Sequence, residues 1–381
     1  MIEEHNGVRN WASILDDGTR LQAERLARCP VVEGPVALMP DAHVGIGATV
    51  GSVIRTRDAV IPAAVGVDIG CGMIAVHTGI RESDVDRSFD GFVHELERTI
   101  PAGVGRGHAE PSDRAIKWLR LNALEEFNDK ERATAVSQLG TLGSGNHFFE
   151  VCVDQADNLW LVLHSGSRGI GNQLAQRHIK LARAQGQALE DPDLAYFLAG
   201  TREFHEYVRH MIWAQDYAWE NRQIMMDAAL AQFYRYVGVP VDFRPYYRVN
   251  CHHNYCERDE FTGLWVTRKG AIDARERKLG VIPGSMGASS FIVSGLGNED
   301  SYNSAPHGAG RQLSRGRAKR EIALADFKEA MAGRAWQEDR AQALLDEAPQ
   351  AYKDIHRVME DSQDLVWVVT ELTAVVNYKG V

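Results

Sequence analysis

Val60-Ile61-Pro62-Ala63-Ala64-Val65-Gly66-Val67 runs into the turn Asp68-Ile69-Gly70-Cys71-Gly72 and then into Met73-Ile74-Ala75-Val76-His77. Two apolar runs thus flank a glycine-rich turn that carries a carboxylate and a thiol. Short apolar, β-branched runs bounded by Gly, Pro and Asp read as strands, so strands are predicted over 60–67 and 73–77. Upstream, Val36 to Met39 and Val50 to Arg55 read the same way. Downstream, Leu159 to His164 is another apolar run and ends on a histidine. Ser112 to Phe127, Asn172 to Ala184 and Arg202 to Tyr236 have helical periodicity. The aromatics of the last segment (Phe204, Tyr207, Trp213, Tyr217, Trp219, Phe233 and Tyr234) read as helix packing rather than a base-stacking platform. Tyr246 to Cys251 and Leu264 to Thr267 return to strand character. Ile322 to Lys353 is read as helical and amphipathic, and Leu365 to Val376 as a buried strand. Strands and helices mix without a regular βαβ alternation, which favours an α+β fold with mixed sheets over a doubly wound one.

Composition sets outer bounds. A chain of 381 residues, 44% hydrophobic and 25% charged, can bury a sizeable core without covalent staples. Cys29, Cys71, Cys152, Cys251 and Cys256 are an odd, sparse set, which argues against a disulfide framework. No apolar run approaches the roughly 18 residues of a membrane span, and Met1-Ile2-Glu3-Glu4-His5 is too polar for a secretory signal; a cytoplasmic location without membrane contact is expected. The net charge of −10 argues against a non-specific nucleic-acid binder. Distribution matters more than the sum. Ser301 to Arg320 contains no Asp or Glu, but has Arg311, Arg315, Arg317, Lys319 and Arg320. In a helix Arg311, Arg315 and Lys319 share one face; the bland alternative is a solvated basic face.

Five segments pair metal-ligating or nucleophilic side chains with small residues. Asp68 and Cys71, three apart in their turn, can reach one metal, or the sulfur can bridge two; a buried structural cysteine is the plainer reading of that pair alone. Gly145-Asn146-His147-Phe148-Phe149-Glu150 offers an imidazole, an amide donor for phosphate oxygen and a carboxylate able to accept the paired N–H groups of guanine. His164-Ser165-Gly166-Ser167-Arg168-Gly169 puts a strand-end histidine before a small-residue loop whose N–H groups can form an anion nest. In Cys251-His252-His253-Asn254-Tyr255-Cys256, adjacent extended histidines point in opposite directions, so at most one is expected to face a metal; no second ligand pair at zinc-motif spacing is present. In His307-Gly308-Ala309-Gly310-Arg311 an imidazole nucleophile sits beside glycines that admit a phosphorus centre, with Arg311 able to steady phosphate charge. Pro283-Gly284-Ser285-Met286-Gly287 is a glycine-framed loop and not a Walker A loop. The candidates span residues 68 to 307, so one integrated domain over 1–381 is the simpler organisation.

In joint order these strings, with Met39-Pro40-Asp41-Ala42-His43, Val266-Thr267-Arg268-Lys269-Gly270, Ser294-Gly295-Leu296-Gly297-Asn298-Glu299 and Tyr378-Lys379-Gly380, resemble the RtcB family of RNA 3′-phosphate ligases nearly end to end. The resemblance implies an RtcB-like domain with a deep metal and nucleotide cleft, two Mn²⁺ ions and GTP. His307 matches the family nucleophile, which forms a histidine–GMP phosphoramidate, and Asp41 the aspartate that orients it. Asp68, Cys71 and His147 match the ligands of one ion, and Cys71, His164 and His253 those of the other. Asn146, Phe148, Glu150, His253, Asn254, Pro283, Gly284, Ser285, Met286, Ser290, Gly308, Ala309, Gly310 and Lys379 match nucleotide contacts. The implied substrate is RNA with 3′-phosphate or 2′,3′-cyclic phosphate ends and 5′-hydroxyl ends, as in RNA repair or tRNA splicing. An accessory activator protein is a possible partner, and a monomer is the expected state. Two departures stand out: Ala305-Pro306 before the histidine, with Pro306 fixing φ and biasing Ala305 to an extended conformation, and a shorter region near residues 79–135. The competing reading is a metal-dependent cyclic phosphodiesterase without ligation. A third is a structural zinc or RNA-binding protein using Cys251 and Cys256.

Overall fold

The run after the Asp68–Cys71 turn becomes the strand Gly72–Arg81, near one end of the larger of two main sheets. The computed structural model describes residues 3–240 and 244–381; Met1 and Ile2, which open the segment judged too polar for a signal, lie outside them. In spatial order the larger sheet runs Tyr247–His252, Gly72–Arg81, Asn158–Ser165, Phe148–Asp154, Val366–Lys379, Ser290–Gly295, Leu279–Pro283, all antiparallel. Ala335–Trp336 adds a short parallel pairing to Val366–Lys379. The smaller sheet runs Glu3–His5, Val8–Asn10, Val36–His43, Val50–Thr56, Trp265–Lys269, Asn254–Arg258. Residue 253 is the link by which the chain leaves one sheet and enters the other.

Period-two alternation explains the layers. Met73 and Ala75 of the larger sheet join Met39, Val53 and Val266 of the smaller one in a common buried cluster. Ile74 and Val76 face the other way and pack on Met225, Met226, Ala229 and Phe233 of the long helix Arg202–Val237. Each fully buried side chain of this size contributes about 1.5–3 kcal/mol. The aromatics of that helix named above are buried as packing residues, apart from Trp219, which is 39% exposed. The whole is an α+β fold, and all five cysteines are free.

Several expected elements differ. Val60–Val67 is not a strand: only Ala59–Val60 is extended, and Pro62–Val65 forms one helical turn. Proline at the first helical position has its φ preset for a helix, and Gly66 at φ 94° ends the turn. The helix expected over 112–127 stops at Leu121, and Asn128 starts a new one with a capping box on Glu131. The segment 322–353 is not continuous helix: Leu324–Ala330 is followed by a left-handed Gly333, a strand fragment and short turns before Pro349. In the last long strand the first half is open, with Trp367 at 68% exposure, while its C-terminal end is buried.

Candidate active site

Strand register gathers the chemistry. His252 pairs with Gly72, Gly72 with Ser165, His164 with Phe148, and Phe148 with Lys379. Cys71, His147 and His253, which flank this row, therefore sit with His164 at the same end of four neighbouring strands. Cys71 Sγ lies 3.3 Å from His147 Nε2 and 3.2 Å from His164 Nε2. His147 Nε2 is 2.9 Å from Asp68 Oδ2, and His164 Nε2 is 2.9 Å from His253 Nε2. Two three-donor groups result, Asp68–Cys71–His147 and Cys71–His164–His253, with Cys71 in both.

The ring orientations have backbone causes. His147 Nδ1 is 3.0 Å from the Leu142 carbonyl and His164 Nδ1 is 3.1 Å from that of Asn146. At His164 the carbonyl only accepts, so Nδ1 bears the proton and Nε2 presents its lone pair to the cluster; the His147 ring is held in addition by the Arg168 guanidinium, 2.9 Å from Nδ1. Gly166 abuts the Asp68 carboxylate so closely that any Cβ would displace it. Arg222, fully buried on the long helix, donates to the Gly70 carbonyl at 2.8 Å, to the Ser165 carbonyl at 3.0 Å and to Asn250 Oδ1 at 2.8 Å. One guanidinium thus ties together the three segments that carry Cys71, His164 and His253. His252 turns away from the cluster, with Nδ1 2.8 Å from the Gly70 carbonyl, as expected for adjacent histidines.

Electrostatics fit a cation at this cluster. Burial and the neighbouring Asp68 push the Cys71 thiol well up. Burial would raise Asp68 too, but His147 and Arg168 outweigh it and hold the carboxyl below its usual range. Burial keeps His164 and His253 neutral, and His253 Nδ1 has no partner. Such a donor set is sound when a divalent ion keeps the sulfur as thiolate and takes the facing lone pairs.

A cleft adjoins the cluster. Its walls include Asn146, Phe148, Glu150, Pro283 to Met286, His307 to Gly310 and Lys379. His253 and Asn254 instead line a neighbouring cavity with Asp68, Cys71 and Lys269. Ser290 is buried opposite Pro283 in the sheet and is not part of the cleft wall. His307, His43 and Asn146 line both spaces.

His307 stands between them. Its Nδ1 is 2.6 Å from Asp41 Oδ2, its backbone N–H donates to the same oxygen at 3.1 Å, and its ring centroid is 4.7 Å from that of His253. Asp41 is fully buried. Lys353 fixes its segment by donating to the carbonyls of Pro40, 3.2 Å, and Ala42, 2.7 Å. Gly310, at φ 73°, lets the loop press on the Asp41 carbonyl.

The basic run after His307 is neither free nor one helix. Arg311 precedes the helix Arg315–Glu321, yet Arg311 and Arg315 both meet Glu347, and Arg315 and Lys319 meet Asp346. Lys379 Nζ meets Glu347 Oε2 at 2.5 Å, and Tyr352 donates to the same oxygen at 2.9 Å. Burial raises Glu347, but Lys379, Arg311 and Arg315 more than reverse it, to about 2. Glu150 is the opposite case: burial, only partly countered by Lys379, pushes it up to about 7. Sequence reading missed Glu347, Tyr352 and Arg222. The acid-free stretch 301–320 was a signal that counter-charges must come from elsewhere in the chain.

Cys251 and Cys256 share no metal-competent group among the described residues; Cys256 Sγ accepts from Thr267 Oγ1 at 3.2 Å. Among the described residues no helix is long and apolar enough to cross a membrane.

Comparison with known proteins agrees over the whole chain. The family model described as tRNA-splicing ligase RtcB matches residues 22–380. The RNA-splicing ligase RtcB of Escherichia coli strain K12 is 40% identical, covering 100% of this chain and 99% of its own length. The tRNA-splicing ligase RtcB of Pyrobaculum aerophilum is 31% identical over 85% of this chain and 82% of its own. The RNA-splicing ligase RtcB of Mycobacterium tuberculosis is 28% identical over 90% of this chain and 95% of its own.

Proposed function

The chain belongs to the RtcB family of RNA-splicing ligases, and we propose that it joins RNA 3′-phosphate or 2′,3′-cyclic phosphate ends to 5′-hydroxyl ends through a GMP adduct on His307, with GTP and two Mn²⁺ ions. The observation that carries this reading is the position of His307, which borders both the cleft containing Glu150 and Lys379 and the cavity containing the Cys71 cluster.

Asp41 accepts from Nδ1–H of His307, which fixes the tautomer and leaves the Nε2 lone pair free for attack. Nε2 bonds to the α-phosphorus of GTP, the bond to pyrophosphate breaks, and a histidine–GMP phosphoramidate forms. Glu150 as carboxylate accepts the paired N–H groups of guanine, Lys379 donates on the same side, and Asn146 donates to phosphate oxygen. A 2′,3′-cyclic end is first opened by water to a 3′-phosphate, the phosphorus bond to the 2′-oxygen breaking; an oxygen of the RNA 3′-phosphate then takes the GMP as the His307 Nε2–phosphorus bond breaks. The RNA 5′-hydroxyl attacks the activated 3′-phosphate, GMP leaves, and the phosphodiester closes. Asp68, Cys71 and His147 would hold one ion and Cys71, His164 and His253 the other; the ions supply charge neutralisation at entering and leaving phosphate oxygens. Such mixed donors bind zinc well, so manganese use rests on geometry and supply rather than raw affinity. A hydrolase that only opens cyclic phosphates has no use for a guanine-reading wall, which favours ligation.

The test is a denaturing gel after incubation with α-radiolabelled GTP and Mn²⁺. The expected result is a GTP-specific, metal-dependent, acid-labile band that His307→Ala removes while metal content stays near that of wild type. A band of full strength in His307→Ala removes His307 as nucleophile. Cyclic-phosphate opening with no nucleotide requirement and no band assigns the phosphodiesterase reading instead.

A further inference from the structure

A second set of facing imidazoles lies away from the cleft, between the helices Arg168–Ala184 and Arg202–Val237. His178 Nε2 is 2.8 Å from His210 Nδ1. Glu206 sits one helical turn before His210, and the donor atoms of His178, Glu206 and His210 all fall within 4.8 Å of one another. His178 is 1% exposed and His210 is fully buried, while Glu206 is partly open to solvent.

We propose that His178, Glu206 and His210 form a third, sulfur-free site for a divalent transition-metal ion of the zinc class, separate from the Cys71 cluster. The close nitrogen-to-nitrogen approach is the same feature seen at His164 and His253, where it is 2.9 Å. At His210 the proton position is set from outside. Glu126 Oε1 lies 3.2 Å from Nε2, and a carboxylate only accepts, so Nε2 carries the proton and Nδ1 points a bare lone pair at His178. A carboxylate on the far nitrogen of a ligand histidine is the usual outer support of a metal-bound imidazole. His178 Nδ1 has no partner, so nothing in the fold prevents His178 from presenting its Nε2 lone pair as well.

Charge is also in balance. Glu206 and Glu126 bring two carboxylates to the two neutral rings. Of the nearby cations, Arg209 is paired with Glu126 and Arg177 with Glu131. Two histidines and a carboxylate suit zinc or cobalt, with the partly open Glu206 side left for water. The rings of Phe127, Phe197 and Tyr207 pack against the two imidazoles. An ion here would bolt together the helix that starts just after His164 and the helix that carries Arg222.

The test uses the full chain with the Cys71 cluster silenced by Cys71→Ser and His253→Ala, stripped with chelator and titrated with Co²⁺ alone. The expected result is one Co²⁺ per chain, with visible d–d bands and no near-ultraviolet thiolate-to-cobalt charge transfer. Adding His178→Ala or His210→Ala should abolish that uptake with circular dichroism unchanged. Two gentler variants guard against misfolding: Glu206→Gln and Glu126→Gln should each weaken Co²⁺ binding about 10-fold or more. No Co²⁺ uptake by the folded, cluster-silenced chain would overturn the proposal and leave a simple His178–His210 hydrogen bond. Uptake that none of the four substitutions alters would overturn it equally.

Discussion

The ligand cluster around Cys71 and the cleft around Lys379 share a wall, yet different bonds hold them in shape. In the cluster, His147 and His164 are fixed by main-chain carbonyls, and the loops themselves by Arg222 on main-chain oxygens. In the cleft, the polar groups hold one another: Lys379, Arg311, Arg315 and Tyr352 converge on Glu347, and Glu150 is paired with Asn377 at 2.5 Å. Main-chain anchors cannot be exchanged without undoing the sheet end. Side-chain ion pairs can be traded for a ligand's charges. The comparison teaches that the first region is built for constancy and the second for exchange.

The sharpest way to break it is at the shared sulfur. Cys71→Ala removes a donor from both three-donor groups at once, so bound metal should fall toward zero and ligation by more than about 100-fold, since even outer-shell losses cost about 10–100-fold. Metal content and RNA-joining rate, measured together, check this; full activity with two ions bound would show that Cys71 does not bridge. Next is Arg222→Met, which strands buried acceptors in three ligand-bearing segments. About 3 kcal/mol of stability should be lost, more with metal bound than with chelator present. Urea unfolding in the two conditions measures both parts; equal losses would show that the guanidinium serves packing alone.

In the cleft, Glu347→Gln leaves Lys379, Arg311 and Arg315 without their common anion. The free protein should lose about 3 kcal/mol, and GTP should raise its melting temperature more than it raises that of wild type. An identical GTP-induced shift in both proteins would mean that these cations are not released to the ligand. The smallest effect is a pH dependence at Glu150. Its carboxyl is raised to about 7 in the free protein, so the stability of its buried neutral form is fully present below its ordinary 4.5 and is lost as pH rises through about 7. Guanine reading needs the carboxylate, so GTP affinity should improve about 10-fold between pH 6 and pH 8. Calorimetric titration across that range should show the slope in wild type and a flat profile in Glu150→Gln.

Much of the cluster was legible because its chemistry restricts residue type. A thiol, imidazoles and carboxylates set among glycines stand out, and the alternation rule limited the His252–His253 pair to one residue facing the cluster, with His253 chosen by the family resemblance. The α+β character followed from the lack of regular βαβ alternation, and the periodicity over Arg202 to Tyr236 matches the observed helix Arg202–Val237 to within one residue. What was not legible depends on distant partners. Val60 to Val67 carries strand-like residues, and only Pro62 with its helical φ turns it into a helical turn. Glu347 sits in an ordinary acidic pair, Asp346-Glu347, and gains its role from residues 32 to 36 positions away. Arg222 looks like any helix arginine until the sheet end closes around it.

His253 is the step from one sheet to the other, and Asp41 meets His307 across 266 residues of chain. Closing contacts that far apart belongs late in folding, after loop entropy has been overcome by the sheets themselves. A chain in which the smaller sheet is not yet in place has no oriented nucleophile, because Asp41 lies in that sheet. On the proposed mechanism, reactivity toward GTP belongs to the finished molecule alone, and the first appearance of the labelled adduct during refolding would time the moment when the smaller sheet joins the larger one.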